Sequence, residues 1–150
     1  MHSTSRSRSP YRIDDDASDG GVIALLIADI ANHRVRKLDM VTRKIVTIVG
    51  TGVWGSTGDG GLAKDAKLNR PSHAYYDKVT GDIFVVENAE NKIRRVFGSN
   101  HTITTVVGEC TNTENKGDGG PAIEACLDGP HQFTMNTAGE WFIVDASSTE

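Results

Sequence analysis

The chain has 150 residues, 37% apolar and 24% charged, with a formal net charge of -4. That is the composition of an ordinary folded protein rather than a disordered or fibrous one, and its acidic balance argues against a nucleic-acid partner. No run approaches the roughly 18 apolar residues that a membrane-spanning helix requires.

Residues 1–21 are rich in Ser, Arg and Asp and are expected to form a disordered polar tail, in which Ser9-Pro10 is a candidate phosphorylation site. Val22 to Ala28 has the polarity of a signal-peptide core. It is short, however, and four acidic residues separate it from Arg12, so no signal peptide is assigned and the compartment stays open. Its apolar character has another source, which is a repeat.

Three segments, Leu25 to Asp29, Ile83 to Glu87 and Trp141 to Asp145, each place four apolar residues before a carboxylate, and they recur at a spacing of 58 residues. Arg34 to Leu38 answers Lys92 to Val96, and Ile45 to Gly50 answers Ile103 to Gly108. Gly58 to Gly61, with Ala63, Ala66, Leu68 and Pro71, answers Gly117 to Gly120, with Ala122, Ala125, Leu127 and Pro130, one residue out of phase. A period of this length implies one supersecondary unit per repeat.

Within a unit the apolar runs are short, β-branched and bounded by turn residues. They predict four strands, at about 73–77, 83–87, 92–97 and 102–107. Lys78 to Asp82 and Gly98 to Asn100 read as hairpin turns. The last strand leads into a Gly-rich link of about twenty residues, which ends in a single helical turn with Pro121 as its first residue. Four antiparallel strands with a longer link to the next unit describe a β-propeller blade.

Ala28-Asp29, Asn32 to Lys37, Thr47 to Thr51, the Gly-Asp-Gly-Gly loops and Pro121 to Leu127 occur in fixed order, and together they resemble the NHL repeat. The resemblance covers roughly residues 22–145. The first copy keeps Asn32-His33 but continues Arg34-Val35, the second has Glu90-Asn91-Lys92, and the third stops after its second strand. It implies an all-β fold, a partial propeller of NHL type, usually of six blades, serving as a platform for a protein partner or small ligand. The units fall at about 22–71, 72–130 and 131–150, the last truncated. Six such blades need on the order of 350 residues, so the chain is expected to be a fragment, a truncated product or part of an assembly, needing further blades or self-association.

In an up-and-down blade, the link from second to third strand and the link to the next unit leave on the same side. This makes Asn32, His33, Trp54, Asn88 and Asn91 the candidate partner contacts. Asn32 is better read as stabilising its own turn, and Trp54 has the alternative role of covering a neighbouring blade. Arg34, Arg36, Lys37, Lys92, Arg94 and Arg95 are read as partners of Asp29 and Glu87 within a blade rather than as a nucleic-acid surface.

Cys110 and Cys126 flank the second Gly-Asp-Gly-Gly loop, opposite Gly52 and Lys67 of the first. They are candidates for a disulfide closing a loop of about sixteen residues, with two reduced thiols as the alternative. Asn100-His-Thr102 is a candidate glycosylation site.

Gly50 to Gly55 matches the dinucleotide fingerprint in spacing, but the glycines that follow exclude the helix that would carry a pyrophosphate. Asp59 and Asp118 each offer one carboxylate where calcium needs several oxygens, and a turn role, accepting nearby amides, is preferred. His73 and His131 lie near the starts of the innermost strands but are not equivalent in register. No metal, cofactor or catalytic group is therefore assigned, and the expectation is a non-enzymatic binding module. The alternatives are a piece of a propeller lyase or hydrolase with a channel metal, or an inactive repeat fragment.

Overall fold

The computed structural model describes residues 24–110 and 117–146. The tail expected at 1–21, with Ser9-Pro10, lies outside them. Strands β1 (Ala24–Asp29), β2 (Arg34–Asp39) and β3 (Ile45–Val49) form one sheet. A second sheet contains β4 (Pro71–Tyr76), β5 (Ile83–Glu87), β6 (Lys92–Val96) and β7 (Ile103–Val107), and a third pairs β8 (Pro130–Met135) with β9 (Trp141–Asp145). Every strand pairs with its sequence neighbour, antiparallel. The protein is therefore an all-β assembly of antiparallel sheets, and the same unit recurs.

The recurrence extends to the irregularities. The equivalent strands β2 and β6 are bulged at the same place, between Val35 and Arg36 and between Ile93 and Arg94. The opening strands of the second and third sheets are bulged after Pro71 and Pro130. These prolines start their strands, two residues before the expected position at 73, because a residue without an N–H is tolerated where a strand begins. Pro121 also differs from expectation. It precedes the 3-10 turn Ala122–Glu124 instead of opening it, and its carbonyl accepts the Glu124 N–H at 3.0 Å.

Strand β5 shows why the sheets stack. Its side chains alternate between two faces, and all five residues are buried. Ile83 and Val85 pack towards the first sheet with Val35, Val49, Leu68, Ala63 and Ala66. Phe84 and Val86 pack towards the third sheet with Ile93, Val107 and Phe133. Phe84 and Phe133 stack with ring centroids 4.8 Å apart, and Trp141 meets both edge-on. Each large side chain so buried contributes about 1.5–3 kcal/mol. The connection between the first two sheets supplies Ala63, Ala66 and Leu68 to the same core, so it is part of the packing rather than a surface strap.

Candidate functional site

The link from second to third strand is a 3-10 turn closed by a left-handed residue, at Ile30–Asn32 with His33 (φ 52°) and at Asn88–Glu90 with Asn91 (φ 54°). Asparagine reaches that region more readily than most side chains. In both units the side chain of the left-handed residue accepts an N–H from the connection to the next sheet. His33 Nδ1 accepts from Arg70 at 3.3 Å, and Asn91 Oδ1 accepts from Gly129 at 2.9 Å. The turn also sits hard against the glycine ending the first unit's outer strand or the second's. A Cβ on Gly50 would lie 2.6 Å from the His33 carbonyl oxygen, and one on Gly108 would lie 2.1 Å from that of Asn91. Glycine is thus required at both.

The other asparagines are similarly engaged. Asn32 Nδ2 donates to Asp29 Oδ1 at 2.8 Å, holding its own turn, and Asn88 Nδ2 donates to the Pro130 carbonyl at 3.2 Å. The structure therefore brings His33, Asn88 and Asn91 together with the two connections, and uses polar atoms of each in joining units. Trp54 differs. It is 70% exposed on a stretch fixed at both ends, where the Thr51 carbonyl accepts the Arg34 guanidinium at 2.8 Å and Gly55 N–H reaches the Leu68 carbonyl at 3.2 Å.

Beneath that stretch lies an ionic clamp. Arg94, on β6, is 1% exposed, and its Nη1 is 3.5 Å from Oε2 of the fully buried Glu87. The first unit repeats the pair more loosely, with Arg36 at 3.7 Å from Asp29. Arg94 also donates to the Lys67 carbonyl at 3.1 Å and the Thr57 carbonyl at 3.3 Å, and it pairs with Asp59. Asp59 Oδ2 accepts the Thr105 N–H at 2.8 Å. Its role is thus not to brace its own turn by accepting nearby amides, as expected from sequence, but to tie the first connection to the second sheet. Gly60 N–H to the Ile103 carbonyl (2.8 Å) and Ile103 N–H to the Gly61 carbonyl (3.0 Å) complete that seam along β7.

Burial raises the pKa of Glu87, opposed by the Asn69 N–H and by Arg94. For Asp59 partial burial works against ionisation, but the bonds from Thr105 and Arg94 outweigh it and hold the carboxyl below its ordinary value. The sequence did not point to the Arg94–Asp59 contact because 35 residues separate the two.

Cys110 and Cys126 are joined, with sulfurs 2.15 Å apart. Cys110 N–H bonds the Ala125 carbonyl as Thr51 N–H bonds that of Ala66, so by hydrogen bonding Cys110 answers Thr51 rather than Gly52. Asn100 is exposed at the hairpin end, its Oδ1 accepting from the Thr102 N–H at 3.0 Å. His73, partly buried and hydrogen-bonded to the Phe133 backbone, is shifted down by desolvation. His131 is exposed. Among the described residues no three His, Cys, Asp or Glu side chains gather where a metal could be held.

No protein-family model matches the chain. Over 80 residues, 53% of the chain, it is 34% identical to Protein Suppressor of Quenching 1, chloroplastic, of Arabidopsis thaliana, and the match spans 7% of that protein. A structural-genomics protein of Bacteroides thetaiotaomicron superposes with a TM-score of 0.70 at 18% identity, over 82% of this chain and 30% of that one. An auxiliary nutrient binding protein of the same organism gives 0.64 at 17% identity, over 82% and 32%. The chain thus spans under a third of these solved neighbours and a small part of the curated relative. At such identities the likeness establishes the fold, a β-rich repeat architecture.

Proposed function

We propose that the chain contributes NHL-type propeller blades to a non-enzymatic recognition module. In this reading the side bearing the links and connections takes a protein segment or a small ligand, with Trp54 as its anchor. One observation carries the reading: a large indole is held in solvent by a connection whose neighbouring residues are tied down by hydrogen bonds. A rigid exposed aromatic offers contact area at little entropic cost, which is why tryptophan dominates binding hot spots. His33 and Asn32 lie on the same side in the second-to-third strand turn, each with one polar atom already engaged, by Arg70 and Asp29. The nutrient-binding activity of one solved neighbour supports the ligand side of the proposal.

The test is Trp54→Ala, screened against arrays of glycans and peptides with far-ultraviolet circular dichroism on the same preparation. Binding should fall by about tenfold or more with the β signal unchanged. Loss of the β signal instead would make Trp54 a structural residue and remove the proposal's anchor.

A further inference from the structure

The hairpin between β6 and β7 repeats the backbone of the one between β2 and β3. Phe97 N–H reaches the Thr102 carbonyl as Asp39 N–H reaches that of Lys44, at 2.9 Å in both, and His101 is left-handed where Arg43 is, with φ 60° in each. The side chains that brace the two turns differ. In the first, Asp39 Oδ1 accepts the N–H groups of Val41 and Thr42 at 2.9 and 2.7 Å. In the second, Asn100 Oδ1 accepts the N–H and the hydroxyl of Thr102 at 3.0 and 2.8 Å. Asn100 stands where the first turn has Thr42, and Thr102 where it has Lys44. The same backbone thus forms without either side chain, and the amide and hydroxyl two residues apart are an addition of the second unit that the turn does not require.

That addition has the composition of an N-linked glycan acceptor, Asn-x-Thr with x other than proline. Its geometry suits the use. Asn100 is exposed at the tip of the hairpin. Its Oδ1 is engaged by Thr102, but Nδ2, the atom that a sugar would join, makes no hydrogen bond to a described residue. Two donors on the carbonyl oxygen draw electron density from the amide nitrogen and so ease the loss of its proton. The backbone of His101 fixes the spacing of the pair, its N–H reaching the Phe97 carbonyl at 2.8 Å and its carbonyl accepting the Ala63 N–H at 2.9 Å. The tip lies at the other end of β6 from the turn Asn88–Glu90, so a glycan there leaves that turn uncovered. An independent observation agrees. Cys110 and Cys126 are bridged, and disulfides persist in the oxidising compartments in which N-linked glycans are carried.

We propose that Asn100 carries an N-linked glycan. The donor is a lipid diphosphate-linked oligosaccharide, and Asn100 Nδ2 attacks C1 of its first sugar. The N–C1 bond forms, the bond from C1 to the diphosphate oxygen breaks, the lipid diphosphate departs and the amide proton passes to a base of the transferase. Thr102 is a positioning residue, its hydroxyl held against the amide that reacts. The site does not depend on the reading of Trp54.

The test uses the protein isolated from the cells that make it. Trypsin, cutting after Arg95 and Lys116, releases residues 96–116 with Asn100 and Cys110, joined through the disulfide to residues 117–150 with Cys126. Mass spectrometry of this unreduced pair should show hexose and N-acetylhexosamine masses. Release by an N-glycosidase in heavy-oxygen water should leave labelled aspartate at position 100. In the same cells Thr102→Ser should keep the modification and Thr102→Val should lose it. Asn100→Asp, which leaves an oxygen for Thr102 to donate to, should lose it with the β circular-dichroism signal unchanged, which separates the glycan from the bracing of the turn. Unmodified Asn100 in the parent protein overturns the proposal, whether or not the disulfide is present, and that measurement involves no variant whose folding could fail. Equal modification of the parent and Thr102→Val proteins overturns it as well, because Thr102 would then play no part.

Discussion

The two long connections, residues 50–70 and 108–129, begin alike and end alike over their described residues and are held differently. Each begins at a positive-φ glycine whose N–H reaches the carbonyl of an alanine that opens a 3-10 turn, Gly50 to Ala63 at 2.9 Å and Gly108 to Ala122 at 3.3 Å. The first is filled by a side chain from elsewhere, as Arg94 satisfies the carbonyls of Thr57 and Lys67 and meets Asp59. The second is crossed by its own disulfide between Cys110 and Cys126. The first connection is therefore complete only when the second sheet is docked, so its stability reports on the joint between units. A covalent link closes the second locally. The first connection is thus secured by a side chain of the following sheet, and the second has in addition a covalent link of its own.

Removing the clamp should have the largest effect. Arg94→Met leaves Glu87 buried without its cation and two carbonyls without their donors, and breaking a buried pair from one side costs about 3–5 kcal/mol. Urea unfolding should show a loss of that size, comparable to the total stability of a small domain. A variant with parental stability would mean the guanidinium contributes no net stabilisation. The result would also sharpen the comparison, because the disulfide remains intact in this variant.

Reducing the disulfide is the complementary break. Closing a loop across a sequence separation of 16 residues restricts the unfolded chain by about 3 kcal/mol in the chain-entropy model. Reduction, or a Cys110→Ala and Cys126→Ala double variant, should lower the unfolding midpoint by less than Arg94→Met does. Hydrogen exchange should quicken over 117–129 while β5 and β6 stay protected. Equal loosening throughout would show that the second connection also governs the joint between sheets.

Much of this was legible in the sequence, and the part that was not has a common cause. The period of 58 located the strands because alternation and turn residues act locally: β5 falls at 83–87 as expected, and β6 and β7 lie within a residue of their expected bounds. Proline misled at strand starts, where its missing N–H does no harm, and so the strand expected at 73 begins at Pro71. The polar residues were harder to place. His33, Asn88 and Asn91 stood out as polar loop residues, which fits either a surface contact or a unit-to-unit hydrogen bond. Only the position of Arg70, Gly129 and Pro130 in space reveals their bonds to the connections. For Asp59, 35 residues separate it from Arg94, and no local pattern encodes that meeting.

The smallest and most discriminating change is Asp59→Asn. The Asp59 side chain is 41% exposed, so solvent screens its attraction to Arg94, and the loss should be about 1 kcal/mol. The amide oxygen can still accept from Thr105, while the NH2 that takes the place of Oδ1 cannot accept from Arg94, so the charge and the Arg94 bond are removed together. The pH dependence carries a definite sign. The folded-state pKa of Asp59 lies below the ordinary 3.8, so its contribution is complete above that value and disappears as pH falls through the lower, folded one. Glu87 acts oppositely. Its folded pKa is raised above 4.5 by burial, so its contribution is complete below that value and is lost as pH rises towards the raised one. The parent and Asp59→Asn proteins should therefore differ most above about pH 4 and converge in stronger acid. A gap that stayed constant from pH 7 to pH 2 would mean that the Asp59 charge plays no part, and that the first connection is held to the second sheet by its backbone hydrogen bonds to β7.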